Sequence, residues 1–174
     1  MHRSVVGVLL ILVVVAVVGC AAYDKAKDLT LTVRTAPQDF TLAEVNSGFE
    51  ANDVTSEDWE DHADKIQSVD AIQVSYEYDN QSGAEVTISI YISEDPNLTA
   101  ENVAASAKLL HQTTLPEGTD TVERGEVGDA EARELLKQYK GNFTVYILAE
   151  SIAETVTVTI NDFRVYGAVN ADFS

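Results

Sequence analysis

The chain has 174 residues, of which 11 are Lys or Arg and 29 are Asp or Glu, so its formal net charge is −18. This acidity argues against nucleic acid as a partner, because binding to phosphates needs clustered Lys and Arg. A single cysteine excludes an intramolecular disulfide, and the length fits one domain.

The first 22 residues carry the pattern of a secretory signal. A positive charge at Arg3 precedes an apolar run from Val5 to Val18, and Val17-Val18-Gly19-Cys20 closes this run. A charged start, an apolar stretch and a small residue at the cleavage position predict a signal peptide. Because a cysteine follows the small residue directly, the segment resembles the signal of bacterial lipoproteins.

The resemblance implies cleavage before Cys20 and a lipid on its sulfur, which would hold the mature chain at a membrane outside the cytoplasm. Ala21 stands where an aspartate favours inner-membrane retention in enteric lipoproteins, so an outer membrane is favoured if the cell has one. The alternative is an uncleaved membrane helix, because Val5 to Ala22 is uncharged and approaches the ~20 residues that span a bilayer.

Three parts of the chain follow from this interpretation. We expect a signal peptide at 1–19, the lipidated cysteine with a short tether at 20–27, and a single β-sandwich domain at 28–174. Without Arg3 the mature chain has a formal charge of −19, which repels anionic headgroups. The tether reaches at most ~25 Å, so the domain should stay near the membrane without binding its surface.

Alternating apolar and polar residues predict strands with one buried face. In the segment 86–92, Ile90 points inward and Ser89 outward. The turn-forming residues from Asp79 to Gly83 predict a hairpin between the segments 72–78 and 86–92. Two further segments are apolar on both faces, as expected of covered strands. The alternating segments are 29–33, 72–78, 86–92 and 156–160, and the apolar ones are 143–148 and 163–169.

Three segments have helical patterns. The clearest is Asp129 to Lys140, with Asp129 as N-cap and Gly141 at the end. A shorter helix is predicted from Ser56 to Ile66. A third from Thr99 to His111 competes with a strand over 107–115. Because strands dominate and no alternation of strand and helix appears, the sequence predicts a mainly β fold: an antiparallel two-sheet β-sandwich with two or three short helices in its connections.

The acidic segment from Glu50 to Asp64 raises the question of a cation site. Carboxylate oxygens at Asp53, Asp58 and Asp61 are candidate calcium ligands. The segment lacks a spaced calcium-binding loop, and acids after Ser56 also suit the start of a helix. We therefore expect no metal or other cofactor, with calcium at these three residues as the alternative.

Catalytic motifs are missing from the sequence. There is no Gly-x-Ser-x-Gly motif, and the lipid would consume Cys20. His62 and His111 lack the neighbouring His or Cys residues of a zinc site. The sequence therefore predicts a protein that is not an enzyme, with a hydrolase as a distant alternative.

Three aromatic residues are candidates for stacking on a ligand: Trp59, Tyr91 and Tyr146. Both tyrosines lie on the parity opposite to the apolar residues of their strands. The competing interpretation is that the tyrosines pair across strands and that Trp59 packs its helix onto the sheet. We expect a noncatalytic envelope or surface lipoprotein that contacts the membrane through Cys20 and an unidentified envelope protein or glycan, with a carbohydrate- or peptide-binding module as the alternative.

Overall fold

The computed structural model describes residues 28–172, without the side chains at 28–30, 45–46, 57–58 and 153–154. The predicted signal peptide and the tether with Cys20 lie outside the described residues. The elements in chain order are β1 (Asp28–Arg34), β2 (Gln38–Thr55), α1 (Glu57–Glu60), β3 (Ile66–Asn80), β4 (Val86–Ser93), α2 (Val103–Ser106), β5 (Lys108–Leu115), β6 (Gly118–Val127), α3 (Ala130–Tyr139) and β7 (Asn142–Asp172). Within 28–172, no helix is long and apolar enough to cross a membrane.

The long strand β7 is the centre of the fold. It pairs antiparallel with β1, β2, β3 and β4, while β5 pairs with β4 and β6 with β3. β3 and β4 lie end to end along one side of β7, because Asn80 pairs with Val158 and Val86 pairs with Ser151. β1 and β2 follow each other along the opposite side in the same way.

These long ribbons double back at a corner formed by residues 45–47, 81–85, 116–117 and 151–154. The side-chain amide of Asn52 donates to the Asp39 carbonyl at 3.0 Å, and the Ala36 N–H donates to the Thr55 carbonyl at 3.2 Å. A straight strand would separate Asp39 from Asn52 by ~40 Å. The chain therefore forms two antiparallel sheets that face each other, which confirms the predicted β-sandwich.

The two sheets differ in length. The short sheet contains β5, β4, residues 142–151 of β7 and residues 47–55 of β2; the long sheet contains β6, β3, residues 155–172 of β7, residues 38–45 of β2, and β1. α1 packs near β1, and α3 packs mainly on β3. The helices thus cover the part of the long sheet that extends past the short one.

The core between the sheets is aliphatic and aromatic. Val86, Ile88, Ile90 and Ile92 of β4 are completely buried, so the alternating pattern identified the inward face of this strand correctly. β7 is buried on both parities from Phe143 to Ile147, as its sequence predicted. Burial of this apolar surface is the main contribution to the stability of the fold, at ~25 cal/mol for each Å² removed from water.

The predicted helices differ in their outcome. α3 forms as expected, because the Asp129 carboxylate accepts a hydrogen bond from the Ala132 N–H at 2.9 Å and Gly141 follows the helix with φ of 84°. The helix predicted over 56–66 ends at Glu60, since Ile66 already pairs with Ala171 as the first residue of β3. In the third segment only Val103–Ser106 is helical, and the competing strand interpretation is correct for β5.

The predicted hairpin at 79–83 is wrong. β3 and β4 do not pair with each other but continue along β7 in the same direction. The turn chemistry is nevertheless present: the Asn80 Oδ1 accepts from the Ser82 N–H at 3.0 Å, and Gly83 has φ of 72°. These residues form the corner between the two sheets instead.

Candidate functional site

The outer face of the short sheet brings together two of the residues singled out by the sequence. Tyr91 of β4 lies directly opposite Tyr146 of β7, and Ala51 of β2 lies opposite Tyr146 on the other side. The next row towards the corner contains Phe49, Leu148 and Ser89. The predicted parity of both tyrosines is thus correct, and they form one continuous row across the sheet.

The two tyrosines of this row are not exposed. Tyr91 is 9% exposed and Tyr146 is 0% exposed. Residues 94–107, which we call the cover segment, lie over them, and Leu98, Val103 and Ala107 pack against the two rings. The rings of Tyr91 and Tyr146, the two tyrosine candidates for stacking on a ligand, are therefore covered in this structure.

Hydrogen bonds tie the cover segment to the sheet. The Tyr146 hydroxyl donates to the Asp95 carbonyl, and the Leu98 N–H donates to the same hydroxyl at 3.3 Å. Phe49 stacks on Tyr146 with 5.9 Å between ring centroids and 20° between ring planes. Together these contacts form a second, smaller apolar cluster outside the main core.

Trp59 is also unavailable for ligand stacking, because it is only 2% exposed. Its ring lies so close to Gly167 that an added Cβ there would stand 3.0 Å from the ring atom Cζ3. The Ser56 hydroxyl accepts from the Trp59 N–H at 3.2 Å and fixes the start of α1. Trp59 therefore packs its helix onto the long sheet, which was the competing interpretation.

An open groove of about 480 Å³ lies at the corner end of the same outer face. Its lining combines hydroxyls, carboxylates and an apolar side chain: Glu85, Thr87, Thr114, Glu150, Ser151 and Ile152. The Ser151 hydroxyl donates to the Glu85 carbonyl at 2.8 Å, and the hydroxyls of Thr87 and Thr114 lie 3.2 Å apart. We call this the corner groove.

Ile152 distinguishes the corner groove from the rest of the surface. Its side chain is 97% exposed, whereas the other exposed large hydrophobic residue in the described part of the chain, Leu109, is 41% exposed. An apolar side chain beside two carboxylates can make both apolar and ionic contacts with another molecule. Periodicity gave no signal for this site, because Ile152 lies where the strand bends.

Two of the three candidate calcium ligands, Asp53 and Asp61, have described side chains. Asp53 lines a second cavity of about 310 Å³ and accepts a hydrogen bond from the Thr144 hydroxyl at 2.6 Å. Asp61 is exposed beyond α1, and the side chain of Asp58 lies outside the described residues. Among the residues that the structure describes, no three His, Cys, Asp or Glu side chains are arranged to hold a metal.

The two histidines in the described part of the chain, His62 and His111, occupy different positions. His111 lies on β5 opposite Ile90, and burial lowers the pKa of its imidazole. His62 lies in the turn after α1, where its N–H donates to the Trp59 carbonyl at 3.2 Å. His111 thus belongs to the short sheet, and His62 belongs to the connection that carries Trp59.

Comparisons with known proteins do not assign a family. No protein-family model and no curated protein matches the chain. Among solved structures, TmCBM61 in complex with β-1,4-galactotriose is 11% identical, with 73% of this chain and 67% of that chain covered and a TM-score of 0.33. PirA is 17% identical over 72% of this chain and 92% of its own, with a TM-score of 0.34. A Desmodium yellow mottle tymovirus chain is 9% identical over 81% and 89%, with a TM-score of 0.31.

Proposed function

We propose that the protein is a noncatalytic lipoprotein, held outside the cytoplasm by lipid on Cys20, whose β-sandwich is an interaction domain. Its contact site in this proposal is the corner groove. The observation that carries the proposal is the nearly complete exposure of Ile152 beside that groove. A single exposed apolar side chain is common on protein surfaces, so the support comes from its position beside the hydroxyls and carboxylates of an open groove.

The position of the corner groove agrees with anchoring at the other end of the molecule. β1 begins at Asp28, eight residues after Cys20, and pairs there with Asp172 at the end of the long sheet. From Asp172 to the corner at 151–154, β7 extends about 60 Å at ~3.3 Å per residue. A chain anchored at Cys20 therefore presents the corner groove on the side away from the membrane.

Anchoring is tested by Cys20→Ser, with Ala21→Ser as the matched control. We expect the Cys20→Ser chain to keep its signal peptide or to leave the membrane fraction, because serine offers no thiol for acylation. The control should be processed and should fractionate like the natural chain. Intact-mass spectrometry and membrane fractionation measure both. A Cys20→Ser chain that stays membrane-bound at the mature lipidated mass would disprove the proposed anchor.

The contact site is tested on the anchored chain in its own membrane. A photo-crosslinking amino acid replaces Ile152 in one variant and Ala100, an exposed residue of the cover segment, in the control. We expect a discrete cross-linked species from position 152 and none from position 100. Equal products from both positions would show random collisions and contradict the corner groove as the contact site.

The alternative of carbohydrate binding now has to be tested without the three aromatic candidates, because their rings are buried. The observation in its favour is the hydroxyl and carboxylate lining of the corner groove, which can hydrogen-bond sugar hydroxyls. Binding of envelope polysaccharide to the anchored chain, measured by co-sedimentation, should fall in Thr87→Ala and Thr114→Ala if the alternative holds. Unchanged sedimentation in both variants would dismiss it.

A further inference from the structure

The two long edges of the sandwich differ in whether the main-chain groups of their edge strands are already hydrogen-bonded. β2 pairs with β7 on one side only, but its two halves are bridged across the other side. There Asn52 donates to the Asp39 carbonyl, and the Glu50 carboxylate accepts from the Thr41 N–H. These bonds use main-chain groups that an added strand would need, so the β2 edge is closed.

The opposite edge consists of β6 and β5, each of which pairs with one strand in the described part of the chain. β6 carries Asp120, Glu123, Arg124 and Glu126. Charged side chains along an edge strand discourage pairing with another chain. β6 is therefore a protected edge.

β5 lacks this protection. Between Leu109 and Leu115 it contains no Asp, Glu, Lys or Arg, and Leu109 is 41% exposed. His111 does not add charge near neutral pH, since burial lowers the pKa of its imidazole. An edge strand presents every second N–H and C=O away from its partner strand. On its outer side β5 therefore offers main-chain groups that pair with no other strand of residues 28–172.

Acidic groups lie at both ends of this uncharged strand. At its start, the single cation Lys108 lies 2.8 Å from Asp129 and 2.7 Å from Glu131, which leaves one negative charge in excess. Past its end, Glu117 is exposed on the same edge. Glu85 of the corner groove precedes Val86, which pairs with Leu115. The electrostatic potential therefore favours a partner with positive charges at both ends.

We infer that β5 accepts an extended segment of a partner polypeptide as an additional strand, uncharged in its middle and carrying Lys or Arg at its ends. Main-chain hydrogen bonds supply the affinity in this mode of recognition, and the flanking charges supply selectivity. Thr114 belongs both to β5 and to the corner groove, so a strand added to β5 would run along one side of that groove. The inference rests on the proposed function, because it names the partner of that interaction domain.

The test uses the full lipidated chain in nanodiscs of neutral lipid and two synthetic peptides of equal charge. One is Lys-Lys-Thr-Val-Thr-Val-Thr-Lys-Lys, and in the other both valines are proline, which cannot donate to a strand ladder. Hydrogen exchange by mass spectrometry should show slower exchange over 108–115 with the first peptide, by about tenfold at ten times its Kd. Residues 119–124 of β6 are the internal control and should not change.

Three results would overturn the inference. Equal effects of the valine and proline peptides would show diffuse attraction to an acidic protein. Protection that includes β6, or that is missing from β5, would place the peptide elsewhere. Protection of β5 that rises with protein concentration in the absence of peptide would show that a second copy of this chain occupies the edge.

A pair of lysine substitutions separates local from diffuse electrostatics. Thr114→Lys places a cation on β5, whereas Thr121→Lys makes the same change of charge at an exposed position of β6. We expect the valine peptide to bind about fivefold more weakly to Thr114→Lys than to Thr121→Lys; equal weakening would contradict the β5 site. The intact mass of the same preparation reports the lipid on Cys20, so loss of anchoring and loss of strand binding are read separately.

Discussion

Tyr76 lies between the two sheets and Tyr146 lies on the outer face of the short sheet. Their surroundings show how differently the inner and outer faces are stabilised. Tyr76 faces the core and is 2% exposed, but its hydroxyl has no hydrogen-bond partner among the described residues. Tyr146 faces outward and is 0% exposed, and its hydroxyl bonds to two backbone groups of the cover segment. Burial alone therefore does not tell which tyrosine hydroxyl stabilises the fold.

The difference follows from what covers each ring. Tyr76 is covered by apolar groups such as Phe163, whose ring centroid lies 6.0 Å away. Tyr146 is covered by an irregular segment whose backbone still needs hydrogen bonds. A covering loop can satisfy a hydroxyl, whereas packed side chains of the core cannot. The inner face thus depends on packing, and the outer face depends on packing and hydrogen bonds together.

The largest expected effect tests the inner face. Ile90→Ala should lower the free energy of unfolding by ~2–5 kcal/mol, because it leaves a cavity at a completely buried position. Chemical denaturation of the full chain in detergent measures this change. A loss below about 1 kcal/mol would show that the inner face of the short sheet is not packed as described.

The next effect appears at alkaline pH. Burial raises the pKa of the Tyr76 hydroxyl to about 12, so the folded chain favours the neutral phenol more than the unfolded chain does. The contribution of the neutral phenol to the free energy of unfolding is fully present below pH 10. It is lost as the pH rises to 12, by roughly 2–3 kcal/mol at ~1.4 kcal/mol per pKa unit. Tyr76→Phe should remove this part of the alkaline loss and be neutral or slightly stabilising at pH 7. Denaturation at pH 7 to 12 measures the effect. If the free energy of unfolding depends on pH in the same way in the natural chain and in Tyr76→Phe, the raised pKa of Tyr76 is contradicted.

Tyr146→Phe should have the opposite sign at neutral pH. Loss of the hydroxyl removes the bonds to Asp95 and Leu98, so we expect a loss of about 1–2 kcal/mol. Hydrogen exchange should also become faster in the cover segment, because these bonds hold it to the sheet. A stabilised Tyr146→Phe variant, like the one expected for Tyr76→Phe, would remove the distinction between the faces.

The smallest effect concerns Ser89. Its outward parity is as the sequence predicts, but the side chain is 5% exposed and its hydroxyl accepts from the Gln112 side chain at 2.8 Å. Ser89→Ala should therefore cost about 0.5–1.5 kcal/mol. Gln112→Ala is the matched change at the other end of this hydrogen bond. Thermal melts in which Ser89→Ala equals Ile90→Ala would reverse the assigned faces.

The sequence predicted the fold where hydrophobic periodicity and burial agree. β4 alternates over Val86, Ile88, Ile90 and Ile92, and all four are buried in the core. β2 was not predicted, because its later inward positions are occupied by residues such as Gly48 and Asn52 that carry no apolar pattern. β6 was missed because most of its side chains are exposed on both faces.

The candidate site was less predictable, because exposure depends on segments distant along the chain. Nothing in the strand sequence around Tyr91 indicates that residues 94–107 return over it. Turn residues at 79–83 fit a hairpin and a corner equally well, since both need local hydrogen bonds and a positive φ at Gly83. Ile152 belongs to the candidate contact site only because the bend of β7 places it at the corner groove.

The central position of β7 also determines when this protein can fold. In the described part of the chain β1 and β2 pair only with β7, whereas β3 and β4 each need β7 on one of their two sides. The outermost pair joins Asp28 to Asp172. During synthesis the earlier strands therefore wait for the last one, and such long-range pairing is slow. Until β7 has been made, β1 to β4 therefore lack the strand that joins them, and neither sheet can close.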